Sequence, residues 1–281
     1  MAEALVAAEK RGVAVRWITD DEFGIDADQE AESSLFEALK NGGVEVRDDA
    51  RTALMHNKFW IFDGGTVWTG STNITVNGIF RNNNNVIVIR SPEVGAIYER
   101  EFTEMWEGEF GPRSPSTADQ QAATIDGTPV RVLFAAEDKV VEQLLPLIEG
   151  ARRSIRIMAF SFTHDALGAA VLARAARGVD VQAIFERRGS DTEYSEMGNL
   201  YCAGVPVRTD GNPRTFHHKV FVLDRTTVIT GSFNFSDSAD ESNDENVVVI
   251  TDREVAADYL GEFDRRWAEA VAPQEGEFTC K

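Results

Sequence analysis

Cysteine is nearly absent: Cys202 and Cys280 are the only two in 281 residues. That is too few for a disulfide scaffold, and no Cys/His cluster has zinc-site spacing. The pair says little about redox compartment. Long apolar runs are missing as well. None approaches the ~20 residues a membrane span needs, which excludes an integral helical membrane protein. Positive charge is scarce, with 28 Lys and Arg against 47 Asp and Glu and a net charge of −19. Nucleic-acid binders ordinarily carry a basic footprint, because affinity for the backbone comes from neutralising phosphates. This surface on average repels DNA and anionic membranes, although a site can still be a local basic island. Only six residues are Lys, and two of them, Lys58 and Lys219, fall in the most informative stretches. The 43% hydrophobic and 27% charged composition supports a packed core in one large or two small domains, and excludes a disordered or collagen-like chain.

The chain repeats itself at an offset of 161. His56-Asn57-Lys58 matches His217-His218-Lys219, and Gly70-Ser71-Thr72-Asn73 matches Gly231-Ser232-Phe233-Asn234. Glu101-Phe102 matches Glu262-Phe263, and Trp106 matches Trp267. A register held this long indicates a duplicated half and not a small solenoid unit. The reading is a first half over 1–110, a polar linker over 111–129 and a second half over 130–272. In the second half, strands are expected at Val130–Ala135, Ile155–Phe162 and Val179–Phe185, with helices near Val140–Arg152 and Ala166–Arg177. That alternation predicts an α/β fold. Nothing in the first half matches Val130–Thr163, and Arg11-Gly12-Val13 aligns with Arg177-Gly178-Val179. The sequence is therefore expected to be an N-terminally truncated copy of a longer two-half protein. A leader could lie in such a segment, so compartment is not read from this sequence.

Each half carries His-x-Lys, four residues, Asp, six residues, then Gly-Ser-x-Asn. Alternation along a strand puts His56 and Lys58 on one face. With Gly64-Gly65 as the hairpin turn, His56 is expected opposite Asn73 and Lys58 opposite Ser71. With Arg225-Thr226 as the second turn, His217 falls opposite Asn234 and Lys219 opposite Ser232. Asp63 and Asp224 then lie on the other face and are read as structural. Lysine gives a fixed positive charge, and Asn and Ser give neutral donors, together a cradle for phosphate oxygens. Histidine serves as nucleophile or as acid and base. Two facing patches supply one histidine to attack phosphorus and one to protonate the leaving oxygen. This chemistry calls for no metal and no cofactor.

These duplicated motifs resemble the phospholipase D superfamily, over essentially the whole chain. The resemblance implies two pseudo-symmetric halves, each a mixed β-sheet flanked by helices, with the active site at their interface. It also implies metal-independent phosphodiester hydrolysis through a phosphohistidine. His56, Lys58, His217 and Lys219 would be catalytic, Asn73 and Asn234 would hold the phosphate, and Ser71 and Ser232 would support it. Either histidine could be the nucleophile. Members of that superfamily often carry an acidic residue after each motif to orient a catalytic histidine. Glu245 matches in the second half, but its counterpart is Asn84, which cannot stabilise imidazolium by charge. The two histidines are therefore expected to differ in pKa.

The substrate class expected is a phospholipid of the phosphatidylcholine type, since the net charge opposes approach to a polyanion. The alternatives are an endonuclease using the same site, and a catalytically impaired phosphate-binding or scaffold protein, the latter motivated by Asn84 and the missing opening. Duplication within one chain makes a dimer unnecessary for completing the site. It says nothing else about oligomeric state.

Overall fold

The computed structural model describes residues 1–31, 34–117 and 120–280. The first half runs α1 (Ala2–Glu9), β1 (Arg16–Thr19), α2 (Ala27–Glu30), α3 (Leu35–Asn41), β2 (Glu45–Asp48), β3 (Phe59–Phe62), β4 (Thr66–Gly70), α4 (Val76–Phe80), β5 (Val86–Arg90) and α5 (Pro92–Trp106). The second opens with β6 (Ala122–Ile125), β7 (Thr128–Ala135), α6 (Val140–Gly150), β8 (Ser154–Ala159), α7 (Asp165–Ala175) and β9 (Asp180–Phe185). It continues with α8 (Glu196–Cys202), β10 (Val207–Thr209), β11 (Lys219–Leu223), β12 (Thr227–Gly231), α9 (Asp237–Glu241), β13 (Glu245–Thr251) and α10 (Arg253–Glu269).

The second half is built on one eight-stranded mixed sheet, ordered β10-β9-β8-β11-β12-β13-β7-β6. Its middle strands read as unbroken apolar runs, Val247–Ile250 among them, because helices cover both faces. On one face Phe221 and Leu223 pack with residues of α6, α7 and α8, such as Leu144, Leu167 and Met197. On the other, Val220 and Val222 meet Tyr259, Leu260 and Phe263 of α10. The segment 111–129, expected as a linker, contains β6, which pairs antiparallel with β7 and extends this sheet. Cys202 and Cys280 are joined in a disulfide, which ties the C-terminal tail to α8.

The first half departs from the expected single sheet. Its strands form two pieces, a parallel β1-β2 pair and an antiparallel β3-β4-β5 sheet. In the second half β8 bridges the corresponding strands, pairing with β9 on one side and β11 on the other. No described residues of the first half fill that position. Trp17 and Trp60 instead meet across it, ring centroids 5.3 Å apart. Asp224 shows what the bridging segment provides: its carboxylate accepts from the backbone N–H groups of Arg152, Arg153 and Ser154, just before and at the start of β8. Its counterpart Asp63 is solvent-exposed.

One element joins the halves. Ser91 caps α5 by accepting from the Val94 N–H, and Pro92 occupies its first turn. The buried stripe of α5, with Val94, Ile97 and Tyr98, packs against Val67 and Ile89 of its own half and against Val132, Phe134 and Val248 of the other. Each such side chain stabilises the docked arrangement by about 1.5–3 kcal/mol of apolar burial.

Candidate active site

The two halves exchange short backbone segments. Met55 bridges in parallel to Asp244, and Asn83 bridges to Phe216. The His56 N–H donates to the Asp244 carbonyl at 2.9 Å, and the His217 N–H donates to the Asn83 carbonyl at 2.8 Å. Each histidine strand therefore runs beside the other half's segment that precedes Asn84 or Glu245. The residue expected to orient a histidine reaches the histidine of the opposite half. His56 Nδ1 lies 2.7 Å from a Glu245 carboxylate oxygen. His217 Nδ1 lies 3.0 Å from Asn84 Oδ1 and 2.9 Å from the Ser71 carbonyl oxygen.

These partners decide the tautomers. A carbonyl can only accept, so His217 carries its proton on Nδ1 and presents the Nε2 lone pair. The Glu245 carboxylate sets the same tautomer in His56. Burial holds His56 below the usual imidazole pKa, with Lys58 and Lys219 adding and Glu245 opposing. His217 is pushed well below it by burial, then by Lys219, Lys58 and His56, with no carboxylate in opposition. The expected difference between the two rings is thus present in the electrostatics. Both lysines are buried in the same space. Burial lowers Lys58 to about 8, and burial together with the Lys58 charge takes Lys219 well below its ordinary value. Each ammonium donates to the backbone carbonyl of its own motif histidine, at 2.8 Å for Lys58 and 3.2 Å for Lys219. Two ammonium groups forced together in a low-dielectric pocket favour an anion between them.

The hairpin registers expected from the sequence are off by one residue. Phe62 pairs with Thr66, and Leu223 pairs with Thr227. The turns begin earlier because Asp63 and Gly64 take φ of 49° and 64°, and Asp224 and Arg225 take 52° and 62°. Gly70 and Gly231, at φ of 148° and 146°, then turn the chain out of the ladder. A Cβ at either glycine would fall 2.1–2.2 Å from a carbonyl oxygen of β13 or of the segment before β5. Ser71, Asn73, Ser232 and Asn234 therefore lie beyond the paired strands, and strand pairing does not set them opposite the motif residues.

The serines also differ from expectation. Ser71 Oγ donates to Asn84 Oδ1 at 2.8 Å, and Ser232 Oγ donates to a Glu245 oxygen at 2.7 Å. Each hydroxyl also accepts a backbone N–H, from Asn85 or Asn246, so both brace the histidine-orienting groups from behind. The asparagines are unequal: Asn73 is exposed, whereas the Asn234 side-chain oxygen is buried with no hydrogen-bond partner among the described residues.

Sequence reasoning missed three sets of residues. Asn246 Oδ1 accepts from Thr69 of the first half, and Asn85 Oδ1 accepts from Thr230 of the second, so each crosses the interface. Both sit one residue after the orienting position, at the same offset of 161, and that was their signal. Asp20 accepts from the Met55 N–H and Glu186 accepts from the Phe216 N–H, each pinning the residue before a motif histidine. Phe160, just past β8, lies 4.8 Å from the His217 ring and beneath the Lys219 ammonium, with no repeat to reveal it. The carboxylates of Asp20, Asp21 and Asp49 lie close enough to hold a metal. Asp20 is already bound to Phe23 and Met55 N–H groups, and Asp49 to the Asp21 N–H and Arg51, so the group reads as backbone bracing.

A family model described as "Cardiolipin synthase, PLD-like domain" matches residues 1–106 and 144–267. The mitochondrial cardiolipin hydrolase of Xenopus tropicalis is 38% identical over 132 residues, covering 47% of this chain and 63% of that protein. A phospholipase D of Rickettsia bellii (strain RML369-C) is 33% identical over 146 residues, covering 52% of this chain and 73% of that protein. Phosphatidylserine synthase of Haemophilus influenzae Rd KW20 superposes with a TM-score of 0.69 at 14% identity, over 94% of this chain and 76% of that structure.

Proposed function

Because this chain belongs to the phospholipase D-like family, we propose that it is a phosphodiesterase that hydrolyses phospholipids to phosphatidic acid and the head-group alcohol. The observation that carries this reading is the crossed pair of histidines. Each has Nδ1 engaged from the opposite half and Nε2 without a partner among the described residues, with two buried lysines beside them. His56 is the nucleophile in this proposal. Its Nε2 attacks phosphorus, and Glu245 stabilises the positive charge that the phosphorylated ring acquires. Lys58, Lys219, Asn73 and Asn234 hold the non-bridging oxygens. His217, once protonated, is the stronger acid because no carboxylate backs it, and it delivers its proton to the leaving oxygen. Burial and, after it, the two lysine charges keep His217 neutral in the free site, and the bound phosphodiester anion offsets the lysine part. In the second step neutral His217 takes a proton from water, the resulting hydroxide attacks phosphorus, and His56 leaves.

A lipid substrate is favoured by the net charge of −19, which opposes a polyanion, and by lipid-acting names among the relatives. The test is a competition between phosphatidylcholine vesicles and labelled single-stranded DNA in excess EDTA, with the His56→Ala/His217→Ala protein as control. Choline released with the DNA intact is the expected result. Shortened DNA without choline would move the assignment to nuclease, and no turnover of either would overturn it.

A further inference from the structure

Three segments tied by hydrogen bonds to the site carry exposed aromatic side chains. Among the described residues the three most exposed aromatics are Phe80 at 78%, Tyr194 at 72% and Phe23 at 69%. They lie on three separate segments, and each segment is anchored beside a motif residue. Phe23 follows Asp20, which binds the N–H before His56. Phe80 ends α4, whose Gly78 carbonyl accepts from the same Asn84 amide that meets His217. Tyr194 stands just before Glu196, whose N–H binds the Phe162 carbonyl, and Phe162 bridges to Phe235 beside Asn234.

Comparison with the other half shows that α4 is specialised. Its Val76, Ile79 and Phe80 occupy the positions of Asp237, Asp240 and Glu241 in α9. A water-facing five-residue helix has no packing reason to carry three apolar side chains, and Val76 and Ile79 are 63% and 49% exposed. Cations accompany them in a chain short of cations. Exposed Arg81 follows α4 directly, and its carbonyl accepts from Asn212, whose side chain in turn holds the Arg214 N–H. Asp210 links the Arg187 N–H to the same loop. Asp21 and Glu22 directly precede Phe23, so these segments carry both signs of charge beside their apolar tips.

We propose that these segments form a docking face for a zwitterionic phospholipid bilayer. The aromatic and aliphatic tips enter the headgroup–acyl boundary, while Arg81, Arg187 and Arg214 meet lipid phosphates and the carboxylates beside Phe23 meet the choline ammonium. The mixed charge beside apolar tips complements a zwitterionic headgroup layer, which presents both a phosphate and an ammonium. No described helix is long and apolar enough to cross a membrane. The inference rests on the phospholipid reading and names how that substrate is approached.

The test is co-flotation of the whole protein with phosphatidylcholine vesicles, together with turnover of a short-chain phosphatidylcholine kept monomeric. A Phe80→Ser/Tyr194→Ser protein is expected to lose vesicle binding about tenfold or more and to keep its turnover of the monomeric lipid. Phe62→Ser, 49% exposed on a hairpin at the far edge of β3, is expected to bind as the wild type does. Wild-type protein that ignores vesicles, or a double variant that binds as well as wild type, overturns the proposal. So does a wild-type dimer that the double variant converts to monomer without any vesicle binding. Vesicle binding with no lipid hydrolysed would defeat the functional reading and leave the docking face standing.

Discussion

The two halves share a motif but not a scaffold. The second sets His217 and Lys219 in and beside the middle of an eight-stranded sheet, while the first sets His56 and Lys58 beside a three-stranded piece whose β3 edge is open. The geometry around the rings is nevertheless matched: a backbone bridge to the other half, an orienting group from the other half, a serine behind it and an asparagine across the interface. The site depends on the segments 54–58, 83–85, 215–219 and 244–246, and the outer strands contribute little to it. The geometry around the rings is kept although the two halves differ in sheet, because each half holds the other's exchanged segment in place.

The sharpest way to break that equivalence is to remove one histidine at a time. His56→Ala and His217→Ala should each lower hydrolysis about 10⁴-fold, so a mild effect from either would mark its half as dispensable. With a phosphodiester whose aryl leaving group needs no acid, His217→Ala should accumulate label on His56, and peptide mapping should find none in His56→Ala. The next largest effect concerns stability. Only the second half is stapled, by the bridge between Cys202 and Cys280 across 78 residues. Cys280→Ser should cost about 2–4 kcal/mol in urea denaturation.

Smaller effects probe the orienting pair. Glu245→Gln should reduce kcat about 10²-fold and Asn84→Ala about tenfold or less, because only the first removes a charge that stabilises a cationic ring. Asn84→Asp should make the halves alike. By raising the pKa of His217, the proposed general acid, it should carry the alkaline limb of the kcat profile to higher pH. The last comparison concerns stability against pH. Both rings are held below the ordinary imidazole pKa, so unfolding takes up protons below ~6.5. The histidine contribution to stability should be level above that pH and fall by up to about 1.4 kcal/mol per pH unit per ring below it, while the depressed Lys58 and Lys219 make stability rise with pH in the alkaline range. His217→Asn should flatten that acid limb more than His56→Asn does, since Glu245 offsets part of the cost at His56.

The α/β class, the duplication and the motif histidines and lysines were legible because they are written as local spacing and repeated at one offset. The exchange between halves was not, since His56 and Glu245 are 189 residues apart and neither sequence window names its partner. Hairpin register failed for a local reason: Asp63 and Asp224 themselves adopt left-handed φ, and pairing arithmetic assumed that the residues after them did. Ser71 and Ser232 were recognised as part of the site, but their bonds to the Asn84 amide and the Glu245 carboxylate were not legible, because a hydroxyl's partner is not written in sequence. The split sheet of the first half follows from the unmatched stretch already visible there. How Trp17 and Trp60 close the space could be seen only in three dimensions.

The exchanged segments also order events in time. Contacts such as His56–Glu245 and His217–Asn84 span 189 and 133 residues, among the most distant pairings in the chain, and closing so long a loop is slow compared with forming a helix or a hairpin. On the proposed function, catalytic competence is expected as a late event, arriving when the two halves dock and not when either folds. During refolding from denaturant, phosphodiester cleavage should return after the far-ultraviolet signal of the helices and strands has already recovered.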